Sequence, residues 1–208
     1  MTRHVLKAAA VCGMGGPVLF AGVLVGLSFL EKDFMFALGW NPITAVTHDW
    51  PSGLALGPLG PVMTTAFIAG GLGLSFFAFG LRRAFRAAPA APAASILLAL
   101  AGLALGFLAF PTDPTDSRQP PTLPGRIHDA AFVALGVTLF ASLVVFGFVF
   151  RTGKKWSAGT AVSWLAAALI VPAFAVKGIT FYFFLAGSLA WCETAALRLL
   201  RRAGKPSI

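Results

Sequence analysis

Six apolar runs, at about 6–29, 59–81, 94–110, 128–150, 157–176 and 178–200, constrain this chain more than any motif in it. A hydrocarbon core takes roughly 20 helical residues to cross, and each run reaches or approaches that length. The third is the shortest and can begin nearer Ala90. The fifth and sixth are separated by little more than Lys177 and Gly178, which makes them a tight helical hairpin. The first follows Arg3 and Lys7 in the manner of a signal peptide. Its apolar stretch is too long for one, however, and the following FLEKD offers no small-residue cleavage site, so retention is expected. The expected fold is all-α: one polytopic domain over residues 1–208 with six transmembrane helices.

Composition excludes the soluble alternatives. With 58% hydrophobic and 11% charged residues and a mean hydropathy of +0.85, the chain carries more apolar surface than a water-facing domain can hide. A formal charge of +9 could point to nucleic acid, but the basic residues fall in short clusters between apolar runs rather than along one stripe. No nucleic-acid partner is expected. Cys12 and Cys192 both lie inside apolar segments, which supports neither a disulfide framework nor a metal-binding pair.

Orientation follows from the basic residues. Arg3, Lys7, Arg82, Arg83, Arg86, Arg151, Lys154, Lys155, Arg198, Arg201, Arg202 and Lys205 lie on one side. Only Lys32, Arg118, Arg126 and Lys177 lie on the other. That asymmetry places both termini in the cytoplasm of a cell whose inner membrane holds the protein. Six acids, Glu31, Asp33, Asp49, Asp113, Asp116 and Asp129, fall on the outer side, and Glu193 lies within the last helix. Gly102 and Gly106 in the third run, and Gly71 and Ser75 in the second, have the spacing at which helix backbones approach closely. General bundle packing explains them, with a dimer face as the alternative. Pro17 and Pro172 are expected to kink the first and fifth helices.

Nearly all polar chemistry sits in two outer loops. The first, Glu31 to Pro58, contains DFMFALGW, an aromatic segment suited to the membrane interface, and continues to Thr47-His48-Asp49-Trp50-Pro51-Ser52. The second spans 111–127. Antiparallel third and fourth helices would bring Asp113, at the end of one, toward His128, at the start of the next. Asp49 and Ser52 could close the cluster.

These same segments carry a resemblance. DWPS followed by GLALGPLGPVMTTAFIAGGLGLSFFAFGLRR, then FPTDP and TLPGRIHDAAF, and finally KGITFYFFLAGSLAW resemble the bacterial six-helix membrane family known as domain-of-unknown-function family 998. The resemblance spans nearly the whole chain and implies the six-helix fold. It also implies polar positions at Asp49, Ser52, Asp113 and His128. The chain departs from the family pattern where the last helix usually opens with a Gln-Arg pair. Here that region reads Ile179-Thr180-Phe181-Tyr182.

Two readings of the outer cluster stand side by side. In the first, Asp113-Pro114 is a turn that stops the third helix, Asp129 complements the fourth helix dipole, Ser52 caps, and His128 bonds a loop carbonyl or Asp113. In the second, Asp113, His128, Asp49 and Ser52 are catalytic candidates, with His48, His128 and Asp113 as ligands for Zn²⁺. The chain has no H-x-x-x-H or H-E-x-x-H pair, no G-x-S-x-G and no Gly-rich phosphate loop. Trp50, Arg126 and Glu193 are the candidate ligand contacts. Glu193 lies about fifteen residues into the last helix, ~22 Å from its outer end, where an acid either pairs with Arg198, Lys7 or Arg82 or carries protons. The leading expectation is a non-catalytic membrane component that binds a lipid, an apolar ligand or a partner membrane protein, a second copy of itself included, without a cofactor. The alternatives are a metal-dependent hydrolase of lipids at the outer face and a proton-coupled small-molecule transporter.

Overall fold

The computed structural model describes residues 3–40, 51–114, 121–151, 157–175 and 179–204. Among these, seven α-helices and one 3-10 helix account for the regular structure: α1 (Arg3–Leu30), α2 (Lys32–Ala37), the 3-10 helix (Pro51–Leu56), α3 (Gly60–Ala84), α4 (Ala91–Phe107), α5 (Leu123–Val149), α6 (Ala158–Ala175) and α7 (Ile179–Ala203). Four of them, α1, α3, α5 and α7, are long and apolar enough to cross a membrane, and α4 and α6 are shorter apolar helices. The chain is a multi-pass membrane protein built as a helix bundle.

Prolines and caps mark where these helices begin. Pro61, Pro92 and Pro124 sit in the first turns of α3, α4 and α5, where a missing backbone N–H costs nothing because that donor has no intrahelical partner. Thr122 caps α5, its side-chain oxygen accepting from the Gly125 N–H at 3.2 Å. The aromatic segment after α1 is helical. It folds into α2 and stops at Gly39, whose φ of 84° lets Trp40 N–H bond the Met35 carbonyl at 3.0 Å in a Schellman-type closure. Met35 and Trp40 are buried, and Phe36 remains exposed.

The six long helices form a closed ring. Each packs against the next in the sequence, α3 on α4, α4 on α5, α5 on α6 and α6 on α7, and α1 joins α3 to α7. Successive helices run in opposite directions, so Ala9 near the start of α1 meets Gly80 near the end of α3 and Leu199 near the end of α7. At the opposite end, Glu31 after α1 meets Gly57 and Leu59 before α3. One end of the ring is therefore basic, with Arg3, Lys7, Arg82, Arg83, Arg86, Arg151, Arg198, Arg201 and Arg202. The other carries Glu31, Asp33, Asp113 and Asp129.

Small residues and single hydrogen bonds hold the ring where lipid supplies no hydrophobic drive between helices. A Cβ at Gly71 of α3 would strike the backbone of Gly102 and Gly106, and one at Gly102 would strike Ser75. Ser75 Oγ donates to Gly71 and Ala99 carbonyls at 2.9 and 3.3 Å, the second across the helix pair. The Gly71–Gly102 spacing thus serves packing within the bundle. Ser142 Oγ of α5 donates to the Ala94 carbonyl of α4 at 2.9 Å, and Trp164 Nε1 of α6 to the Val144 carbonyl of α5 at 3.1 Å. Bonds of this kind within membranes contribute about 0.6 kcal/mol each.

Candidate functional site

The two halves of the ring are filled differently. Toward the basic end the centre is packed with aromatic rings: Trp191 of α7 stands 6.2 Å from Phe77 and 5.4 Å from Phe146. Phe146 stacks on Phe150 at 5.5 Å, and Phe150 meets Phe85 edge-on at 5.2 Å. Trp191 is 1% exposed, and its indole N–H is met by Ser163 Oγ at 2.9 Å. These rings form a plug. Toward the acidic end the centre is hollow.

The hollow is a cavity of about 130 Å³ with an open mouth. Its walls come from five helices, with Leu24, Phe67, Leu105, Leu139 and Leu185 as one contribution from each. Pro51 and Ser52 of the 3-10 helix lie over it, and Trp191 with Cys192 form its floor. Along α7 the lining runs from Phe181 to Cys192, which at 1.5 Å per residue is a depth of ~16 Å. Phe181 and Phe184, nearest the mouth, are half-buried. Among the described lining residues, Ser52 and Ser188 alone carry hydroxyls. Helical hydroxyls elsewhere, such as Ser28, Thr138 and Ser163, donate to the carbonyl one turn back. Ser188 Oγ has no such bond and is buried without a hydrogen-bond partner. Ser95 Oγ shares that state but does not line the cavity.

A polar corner braces the wall between α4 and α5. Asp113 uses both carboxylate oxygens: Oδ2 accepts from the Thr122 N–H and Oδ1 from the Thr122 hydroxyl, each at 2.7 Å. Thr122 in turn accepts from Gly125 N–H, and a Cβ at Gly125 would strike the Asp113 carboxylate. His128 is 3% exposed, and its Nδ1 lies 2.8 Å from the Phe110 carbonyl oxygen. A carbonyl can only accept, so Nδ1 carries the proton, and in the neutral ring Nε2 is left as the acceptor. The imidazole edge faces Phe67 at 6.4 Å, and Phe67 is a cavity-lining residue. The corner therefore sits directly behind the cavity wall.

The model of the family described as "Protein of unknown function (DUF998)" matches residues 16–199. The chain belongs to the DUF998 family. No curated protein and no solved structure matches it. In this DUF998 chain, three of the four polar positions implied by the resemblance can be placed. Asp113 and His128 form the corner and Ser52 the roof of the cavity. Asp49, with His48 and Trp50, lies outside the described residues. Among the described residues no three of His, Cys, Asp and Glu come together as a metal-binding group, and the zinc set would need His48 or Asp49 to complete it. Arg126 is exposed on the first turns of α5. Glu193 is half-buried on α7, beside the floor residue Cys192, and is not part of the lining.

One polar group escaped the sequence reading. Glu31 was counted among the outer loop acids, yet it is 6% exposed. Its Oε1 accepts the N–H of Leu59, the residue that precedes α3. Oε2 is buried without a partner, against Gly57, where a Cβ would strike it. The signal was present in the spacing. Leu24 and Leu27 are buried on α1, and Glu31 continues that inward stripe by one further turn.

Proposed function

We propose that this DUF998 protein spans the cytoplasmic membrane six times, with its basic end in the cytoplasm, and holds one chain-like apolar ligand in the cavity of its outer half. The apolar lining of that cavity carries the reading. Like small-molecule pockets in general, it is greasy with few polar groups. A lipid tail fits this chemistry. Five helices wall the space, which suits a single chain better than the face of a partner helix.

Six spans rest on the ring. α4 and α6 stand between longer apolar helices and run antiparallel to them, and 17 residues of α4 extend ~26 Å at helical rise, close to the ~30 Å of a hydrocarbon core. The cytoplasmic assignment rests on the basic asymmetry alone. The aromatic plug favours binding over proton-coupled transport, because it fills the ring between the cavity and the basic end and leaves Glu193 off the cavity surface. The hydrolase reading rests on donors of which Asp113 spends both carboxylate oxygens on Thr122.

The test is to fill the cavity. Leu139→Trp adds bulk to the wall near mid-depth. Binding of a fluorescent fatty acid by the purified protein is expected to weaken at least tenfold, with the helical content by circular dichroism unchanged. Equal binding by the wild type and Leu139→Trp, at equal helicity, would overturn the proposal.

A further inference from the structure

At the basic end, α3 presents a surface to lipid that changes character abruptly. Ile68, Leu72, Phe76 and Phe79 are exposed along one face, with Phe76 and Phe79 stacked at 6.5 Å. The same face ends in Arg83, whose guanidinium carbon lies 5.3 Å from the Phe79 ring centre. Arg82, Arg83 and Arg86 then surround an open cleft of about 380 Å³, bordered by Phe79 and by Pro92 at the start of α4. All three arginines are exposed. Arg202 of α7 adds charge nearby: its Nη1 donates to the Ala84 carbonyl at 2.8 Å, and its guanidinium sits 4.0 Å from the Phe85 ring centre. Among the described residues of this end none is an acid, and Glu193 lies eight residues before Arg201 on α7.

We propose that this cleft binds the phosphate of an anionic phospholipid, whose tail lies along Phe79, Phe76 and Leu72. The chemistry is complementary at both ends. Three guanidinium groups offer forked donors to a phosphodiester, and the apolar stripe continues directly beneath them into the hydrocarbon. Arg82 and Arg83 lie in the last turn of α3, where they also complement the helix dipole. Arg86 lies beyond the helix, so the dipole does not account for the third member or for the cleft. Basic pockets between membrane helices select anionic headgroups in this way, with about 1 kcal/mol, or roughly fivefold in affinity, for each basic residue near the surface.

The experiment uses the full chain in detergent micelles doped with phosphatidylglycerol or with phosphatidylcholine. The expected result is that phosphatidylglycerol alone raises the thermal midpoint of the wild type. Its apparent affinity should fall on the order of a hundredfold in Arg82→Gln/Arg83→Gln/Arg86→Gln. Lys32→Gln, which removes an exposed basic residue at the opposite end, should leave the effect intact. Equal stabilisation by the two lipids, or stabilisation of the wild type by inorganic phosphate as strong as by phosphatidylglycerol, would overturn the assignment to a lipid. Should the triple variant fail to fold, a photoreactive phosphatidylglycerol on the wild type decides. Labels at Phe76, Phe79 or Arg83 support the cleft, and labels spread over the other helices overturn it.

Discussion

His128 and Asp113 share a corner, and the bonds they make there separate their roles. Asp113 supplies the acceptors for the N-cap residue of α5, and its removal leaves Thr122 with two unmet donors in a half-buried loop. Asp113→Ala is expected to cost about 1–3 kcal/mol of stability, the penalty of leaving such groups unpaired. Thr122→Ala removes the cap itself and is expected to cost about 1 kcal/mol. His128 makes one bond to the Phe110 carbonyl, and the side-chain amide of glutamine can donate in its place. His128→Gln should therefore lose about 1 kcal/mol and keep binding of an apolar probe in proportion to the folded protein. Thermal unfolding in detergent measures the first quantity and fluorescence titration the second. Tightly held zinc in the wild type, lost in His128→Gln, would instead return the residue to the metal-site reading.

Between elements, the small residues of α3 and α4 decide how near the two backbones come. Gly71 and Gly102 face each other with no room for a methyl group, whereas a Cβ at Gly106 meets nothing within 4 Å. The three glycines look alike in the sequence, and Gly102 and Gly106 form one G-x-x-x-G motif. Their substitutions should not behave alike. Gly102→Ala is expected to destabilise by about 1–3 kcal/mol through overpacking, and Gly106→Ala to be neutral or slightly stabilising, since alanine is the better helix former. Thermal midpoints of the two variants check this. Equal losses would mean that the helix pair is held by something other than this close approach.

For the whole molecule, orientation is the consequence to measure. In a background with Cys12 and Cys192 replaced by alanine, Ala87→Cys marks the basic end and Asp129→Cys the acidic end. Intact cells treated with an impermeant thiol reagent are expected to label Asp129→Cys and spare Ala87→Cys. The reverse pattern would invert the protein in the membrane.

The sequence by itself determined the all-helical membrane class, the clustering of basic residues toward one side, and the family. Run length and charge are properties of consecutive residues, and they survive whatever the neighbours turn out to be. The small-residue spacing on α3 and α4 was legible in the same way, but that a Cβ is excluded at Gly102 and tolerated at Gly106 was not. Only the tertiary structure decided that α1 and α7 close a ring, that aromatic rings plug one half, and that a cavity occupies the other. Helices that are apolar on nearly every side carry little periodic mark of which face turns inward, so Phe77, Phe146 and Trp191 look no different from the phenylalanines that face lipid. Glu31 shows the converse. Its acidic side chain suggested a solvated loop, and only the fold placed it inside, where the chain turns from α1 toward α3 and its carboxylate meets the Leu59 N–H.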